Sequence, residues 1–350
     1  LDVSPQGELV ISRQEGWFVF NPATGKVRKV RGASGDEPIF ARFSPDGESL
    51  LTIAAVTHGD GDFTFTTTPL NGDPSSLLLR TRYPAYLAYS PDGAKIAFTR
   101  MVLDARGPEE DDDESGELVL LDPRTGETKV LARRTGALFH WLPDSSALLT
   151  AQVPRKPSSD RPDAQLVRVD ASTGDATAIA SFAREEPYHL DVSPDGTQAL
   201  LCSTAAVRPE QVLPAAEIPT SQLYVVDLRT GELHETGRTA HVALYSPDGR
   251  SVLIGRRGAD GSAPEDGQLL VGSADLTDLR TIARDASLSD PSSGMTVSPG
   301  WIDDERLFYF NERSVYGSSS KALCLMTIRA DGTGRKCVQP LIDRVAVDAE

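Results

Sequence analysis

A short turn motif recurs along the whole chain and constrains its fold more than any other feature. The tetrapeptide Ser-Pro-Asp-Gly stands at 44–47, 90–93, 193–196 and 246–249, and degenerate forms begin at Ser4, Leu142 and Ile302. The spacings of these seven copies run from 40 to 56 residues. Pro presets φ for the first corner, Asp caps the turn and Gly accepts a positive φ, so each copy reverses the chain.

A second turn follows each copy, as in DPRTG at 122–126 and DLRTG at 227–231. Short β-branched or apolar runs lie between the turns, for example LVLL at 118–121 and LYVV at 223–226. They predict strands, so each unit reads strand A, turn, strand B, variable loop, strand C, turn and strand D.

Four antiparallel strands repeated seven times predict an all-β fold, a seven-bladed β-propeller of four-stranded antiparallel blades. We expect one domain over 1–350, with 339–350 as a closing or rim segment. The predicted blades are approximately 1–31, 37–80, 84–132, 136–181, 186–237, 239–283 and 293–338.

The Ser-Pro-Asp-Gly turns, the apolar B strands and LYVVDL at 223–228 resemble the TolB-like (WD-repeat-like) propeller family. They are also similar to the propeller halves of prolyl-oligopeptidase-type enzymes. The resemblance covers residues 1 to about 338 and implies a propeller fold. It implies no particular activity, because propellers host many unrelated functions.

Charge and hydropathy limit the partners. The chain has 35 basic and 51 acidic side chains, a net charge of −16, which argues against a nucleic-acid partner. No apolar run approaches the roughly 20 residues that span a bilayer, so we predict no direct membrane insertion.

The chain begins at Leu1 without a signal sequence. We expect an extracytoplasmic protein, secreted or anchored through an upstream segment, with the cytoplasm as the alternative, and a monomer.

Loop lengths favour one face as the functional one. The connections between strands B and C vary most, and insertions on one face usually mark the binding side. B strands end there in Arg13, Arg100, Gln152, Arg256 and Arg257, while the D to A connections contribute Arg80, Arg82, Arg133, Arg134, Arg184 and Arg238. Converging arginines could bind a carboxylate or phosphate. Alternatively, they form rim ion pairs with neighbouring acids such as Glu109, Glu185, Glu186 and Glu265.

His189 and His241 fall within or just before A strands, close to the expected channel. They could bind a ligand there, or they fill the inner strands. We predict neither a metal nor a cofactor. No Gly-x-Ser-x-Gly motif occurs, and no α/β segment is left for a hydrolase domain.

These observations favour a non-enzymatic protein-interaction or ligand-sensing module that uses its long-loop face and channel mouth. Its partner would be a protein or a small anionic ligand. The alternative is a channel-centred enzyme of the polysaccharide lyase or lactonase type, acting on an acidic sugar.

Cys324 and Cys337 flank the last hairpin and are candidates for a disulfide bond, which would imply an oxidising compartment. Two free thiols in a cytosolic protein are the alternative.

Overall fold

A computed structural model describes residues 1–13, 16–30, 37–56, 62–101, 116–152, 164–182, 185–205, 221–256, 267–288, 298–314 and 321–338. The predicted closing segment 339–350, Arg257 and most of the variable loops lie outside these ranges. Over the described residues the chain folds as antiparallel strands in two compact units, Leu1–Ala183 and Arg184–Asp343. Among those residues, no helix has the length and hydropathy needed to cross a bilayer.

The first unit contains two four-stranded sheets and one seven-stranded sheet. The first sheet is β1 (Asp2–Val3), β2 (Leu9–Arg13), β3 (Gly16–Asn21) and β4 (Lys26–Lys29). The second is β5 (Glu37–Phe43), β6 (Ser49–Ala55), β7 (Asp62–Pro69) and β8 (Ser76–Arg82). The seven-stranded sheet is β9 (Pro84–Tyr89), β10 (Ile96–Met101), β11 (Gly116–Leu121), β12 (Thr128–Trp141), β13 (Ala147–Gln152), β14 (Ala164–Asp170) and β15 (Ala176–Phe182).

The second unit contains three four-stranded sheets. These are β16 (Glu185–Val192), β17 (Gln198–Ala205), β18 (Gln222–Asp227) and β19 (Leu233–Thr239); then β20 (Val242–Tyr245), β21 (Ser251–Arg256), β22 (Gly267–Ser273) and β23 (Arg280–Ala286); and last β24 (Gly300–Trp301), β25 (Arg306–Ser314), β26 (Lys321–Arg329) and β27 (Lys336–Cys337). Consecutive strands pair in every sheet, which is the meander expected of propeller blades.

The prediction of seven four-stranded blades is wrong. The described residues form five four-stranded blades, and the other seven strands form one sheet. The reason is β12, whose 14 residues remain extended where the sequence predicts a break between two blades. Its first half pairs with β11, its second half pairs with β13, and Thr135 lies opposite both Gly116 and Gln152.

The Ser-Pro-Asp-Gly turns are held by their own side chains. Ser44 Oγ accepts the backbone N–H of Ser49 at 3.0 Å, and Asp46 Oδ1 accepts that of Glu48 at 2.9 Å. Gly47 has φ +75°. In the degenerate copy at 142–145, Ser145 occupies the glycine position and keeps the left-handed conformation, with φ +60°. The turn geometry therefore persists where its glycine is lost.

The central strands of the sheets form the core. Leu148 and Leu149 on β13 are both fully buried although they point to opposite faces of the sheet. In the first unit, side chains of β6 and β7 pack against those of β9, β10 and β11 in one cluster, in which the Phe65 and Phe98 rings meet edge to face at 5.1 Å. Both faces of these strands are covered, so their sequences are continuous apolar runs and do not alternate between apolar and polar residues.

Basic side chains reach the second turn of the following repeat, which lies on the next sheet in three cases and farther along the same seven-stranded sheet for Lys129. Each donates to a backbone carbonyl of that turn. The pairs are Arg28 to Leu70 (3.1 Å), Lys129 to Ser172 (2.5 Å), Arg238 to Leu276 (3.3 Å) and Arg280 to Ala330 (3.3 Å). Arg238, which the sequence offers as a rim cation, is thus used in sheet-to-sheet packing.

Candidate functional site

The seven-stranded sheet brings several of the predicted residues to one edge. We call this the loop edge, defined by the strand ends at Pro84 (β9), Met101 (β10), Gly116 (β11) and Gln152 (β13), together with Thr135 in the middle of β12, which lies opposite Gly116 and Gln152. Neighbouring strands lie about 4.8 Å apart, so the stretch from β9 to β13 is roughly 20 Å wide.

Arg100 lies at the loop edge and contacts a buried carboxylate. Its Nε and Nη2 atoms donate to Glu117 Oε2 at 3.0 and 2.7 Å. Arg133 contacts the other oxygen, Oε1, of the same carboxylate. The Glu117 side chain is only 5% exposed, whereas those of Arg100 and Arg133 are 35% and 69% exposed. One buried carboxylate thus orients two guanidinium groups that remain open to solvent.

An exposed aromatic residue also lies at the loop edge, joined through its backbone to the end of β10. Tyr83 is 36% exposed, and Met101, whose N–H donates to the Tyr83 carbonyl at 3.0 Å, is 43% exposed. Tyr83 has φ +48°, in the left-handed region that L-residues other than glycine seldom occupy. Strain of this kind is commonest at functional positions. Arg82 precedes it, is 66% exposed and pairs with Asp62 at 3.1 Å.

Positive charge exceeds negative charge among the described side chains at this edge. Arg82, Arg100 and Arg133 face two carboxylates, those of Asp62 and Glu117. The surplus opposes the net charge of −16 carried by the whole chain. Among these described side chains, the local charge therefore favours an anion.

The remaining predicted ligand residues have other surroundings. Gln152 is half-buried at the loop edge, opposite Gln165. Arg256, in the second unit, donates from Nε and Nη2 to Gln268 Oε1 at 3.3 and 3.0 Å. Arg13 ends β2, and only its backbone is described; Arg257 lies outside the described residues. The structure thus brings Arg100 and Gln152 to one edge and occupies Arg256 with a neighbour on its own sheet.

The two histidines make backbone contacts within the second unit. His189 Nε2 lies 2.9 Å from the Ala243 carbonyl and donates to it, since a carbonyl can only accept. The backbone N–H of His241 donates to the Gly255 carbonyl at 2.7 Å. In the described part of the chain, no three His, Cys, Asp or Glu side chains are arranged to hold a metal ion. These residues therefore offer no fit for a metal, and we derive no metal-dependent step.

Cys324 and Cys337 are joined by a disulfide bond with a Cα–Cα distance of 6.3 Å. The two residues are not directly opposite one another: Cys337 pairs with Met326, and Cys324 pairs with Asn311 on the other side. The bond therefore runs diagonally across β26 and β27. Cys202 is a free, buried thiol whose pKa is raised by burial.

Comparison with known proteins shows the fold class. An oligogalacturonate lyase from Vibrio parahaemolyticus matches with a TM-score of 0.65 at 14% identity, over 93% of this chain and 88% of that chain. An oligogalacturonate lyase in complex with manganese matches with a TM-score of 0.63 at 17% identity, over 88% of this chain and 81% of that one. The chain has a β-propeller fold.

The propeller implied by the family resemblance is thereby supported, and the family itself is not identified. TolB from Acinetobacter baumannii aligns with a TM-score of 0.48 at 18% identity, over 77% of this chain and 61% of that one, so TolB stays a resemblance. No protein-family model and no curated protein matches the sequence. At these identities the likeness shows the fold alone.

Sequence reasoning missed two residues that shape the loop edge. The sequence could have indicated Glu117, because it is a charged residue at the start of an otherwise apolar strand and needs a partner when it is buried. No sequence pattern could have indicated Tyr83, since its exposure and its backbone conformation depend on how the chain connects β8 to β9 in the folded structure.

Proposed function

We propose that this chain is a non-enzymatic binding module that takes an anionic ligand on the loop edge of its first unit. The ligand would be a small carboxylate-bearing molecule or an acidic segment of a protein partner. The supporting observation is that the loop edge carries both the arginine pair on Glu117 and the exposed Tyr83, which follows Arg82 in the chain and has a left-handed backbone. Guanidinium groups bind carboxylates through paired hydrogen bonds, and an aromatic ring adds apolar contact.

Each group has a distinct role in this proposal. Arg133 is the most exposed cation of the pair, so it would meet the ligand anion first. Glu117 acts as a positioning residue that fixes the direction of both guanidinium groups. Tyr83 and Met101 would pack against the apolar part of the ligand.

Calorimetric titration with two probes tests the proposal: a short oligogalacturonate and a polyglutamate peptide. We expect binding of at least one, weakened about tenfold or more by Arg133→Ala, because a charge-assisted hydrogen bond contributes roughly 1.5–3 kcal/mol. Tyr83→Gly should also weaken binding while relieving the backbone strain, since glycine adopts positive φ freely.

Arg124→Ala is the matched control, because Arg124 is an exposed arginine in the turn at the opposite end of β11. It should leave affinity unchanged. Equal weakening by Arg124→Ala and Arg133→Ala would reduce the interaction to general charge attraction and refute the site. So would the absence of binding by both probes at low salt.

The alternative function is cleavage of an acidic sugar by a lyase. Its support is the structural likeness to the two oligogalacturonate lyases, which extends to the fold. The same oligogalacturonate probe distinguishes the two functions: a lyase that acts by elimination accumulates unsaturated product with ultraviolet absorbance. Accumulation of this product by the wild type but not by the Arg133→Ala variant would show that the protein is an enzyme and not a binding module.

We also propose an extracytoplasmic location, with the cytoplasm as the alternative. The support is the bond between Cys324 and Cys337, because structural disulfides persist in oxidising compartments. Acid-quenched thiol labelling of cells that produce the protein tests it. Alkylation of both cysteines before any reduction would favour the cytoplasm.

A further inference from the structure

Among the described residues, few backbone contacts hold the last strand of the second unit. β27 contains two residues, whereas the last strands of the other four-stranded sheets contain four or seven. Its ladder has two pairs, Met326 with Cys337 and Thr327 with Lys336. One more hydrogen bond, from Val338 N–H to the Leu325 carbonyl at 2.9 Å, follows it. A strand this short has little independent stability.

Two further contacts fasten β27 from its two ends. The disulfide ties Cys337 to Cys324, which is 5% exposed in a cluster with Trp301, Tyr309 and Met326. Arg335, just before β27, forms an ion pair with Asp285 at the end of β23, and its guanidinium lies 5.7 Å from the centre of the Tyr309 ring. Asn311 also donates to the Asp285 backbone carbonyl at 2.9 Å.

We propose that the Cys324–Cys337 disulfide is a redox-sensitive clamp. In the oxidised state it holds β27, and with it the Arg335 to Asp285 ion pair, against β26 and the neighbouring sheet. Reduction releases this edge locally and exposes the outer backbone of β26 at Leu325 to Thr327. The rest of the second unit keeps its fold, because its central strands are paired on both sides.

The release is an ordinary thiol–disulfide exchange with a small thiol, RSH, as the reductant. Its thiolate attacks the Cys337 sulfur, which is the more accessible one because Cys337 is half-buried and Cys324 is fully buried. The S–S bond breaks, and Cys324 leaves as a thiolate that takes up the proton of RSH. A second RSH then attacks the mixed disulfide and yields the Cys337 thiol and RSSR.

Hydrogen exchange of the full chain, read by mass spectrometry with and without a small dithiol, tests the clamp. We expect amides in the peptide 321–338, Val338 above all, to exchange about tenfold faster or more after reduction. A native disulfide typically lowers the equilibrium constant for opening by more than about tenfold. Peptides from the central strands β17, β21 and β6 should keep their protection.

Three variants sharpen the outcome. A double variant, Cys324→Ser with Cys337→Ser, should exchange rapidly without reductant and not respond to it. Cys202→Ser keeps the clamp and should respond like wild type. Asp285→Asn, which breaks the ion pair and keeps the disulfide, should raise exchange by less than reduction does.

Two results would overturn the clamp: unchanged exchange at 321–338 after complete reduction, or faster exchange throughout the second unit. The wild-type comparison decides the matter even if the double variant fails to fold. The inference is independent of anion binding, since the loop edge belongs to the first unit. Loss of probe binding therefore leaves it standing.

Discussion

Asp191 Oδ2 accepts a hydrogen bond from the backbone N–H of Tyr245 at 2.7 Å, which joins β16 to the first strand of the following sheet. The same contact recurs in the first unit, where Asp2 Oδ2 accepts the N–H of Phe43 at 2.8 Å. Both aspartates stand two residues before the serine of their turn, and both donors stand one residue before it. Elsewhere Trp141 and Trp301 serve at the donor position, through Nε1 to the carbonyls of Ala88 and Leu244.

This contact predicts the effect of changing Asp191. We expect Asp191→Ala to lower the free energy of unfolding by about 1–3 kcal/mol, because the Tyr245 N–H loses its acceptor in a buried position. Asp191→Asn keeps a side-chain oxygen and should lose less than half as much. Urea denaturation followed by fluorescence measures both. Equal stability of the Ala and Asn variants would show that the hydrogen bond contributes nothing.

Gly116, which pairs from β11 with Thr135 of β12, and Gly136, within β12, should respond oppositely to alanine. A Cβ at Gly116 would lie 2.3 Å from the Thr135 carbonyl oxygen, whereas one at Gly136 would meet nothing closer than 3.8 Å. Gly116→Ala should therefore lower the free energy of unfolding by about 1–3 kcal/mol through overpacking. Gly136→Ala should be neutral or slightly stabilising. Thermal denaturation ranks them, and the reverse order would argue against the continuous strand.

Glu117 should be energetically coupled to Arg100. Glu117→Gln and Arg100→Ala are each expected to lower the free energy of unfolding by about 1 kcal/mol, a value reduced because the arginine is one-third exposed. The double variant should lose clearly less than the two single losses added together, since both remove one interaction. A double-mutant cycle in urea measures this. Strict additivity would mean that the pair contributes no stability.

The turn aspartates predict weaker folding in acid. The Lys95 ammonium, 2.7 Å away, and the Arg124 N–H lower the pKa of Asp122 to about 2, and the Ser172 hydroxyl with nearby backbone N–H groups lowers the pKa of Asp170 to about 2. Both folded-state pKa values lie below the ordinary 3.8. Their contribution is therefore complete above about pH 4 and is lost as the pH falls towards 2.

Thermal unfolding at pH 7, 4, 3 and 2 checks this dependence. The wild-type Tm should fall steeply below pH 4. A variant with Asp122→Asn and Asp170→Asn keeps the capping oxygens without the titrating charge, so its Tm should change less over the same range. Parallel curves for the two proteins would assign the acid sensitivity to other groups.

The strands and turns were predictable because their signals are local. Ser44, Asp46 and Gly47 bond mainly within their own turn, so the motif specifies the same geometry in every copy. The continuation of β12 through residue 134, where a break between two blades was expected, was not predictable. It depends on hydrogen-bond partners in β11 and β13.

An all-β repeat, with its chain reversals and its apolar central strands, follows from the amino-acid sequence, because turn chemistry and short-range periodicity act over a few residues. The division of the strands into sheets, the sharing of Glu117 by Arg100 and Arg133, and the exposure of Tyr83 follow from the tertiary structure alone. Those features depend on contacts between residues far apart in sequence. Such contacts form only when several strands are in register, and no local pattern encodes that register.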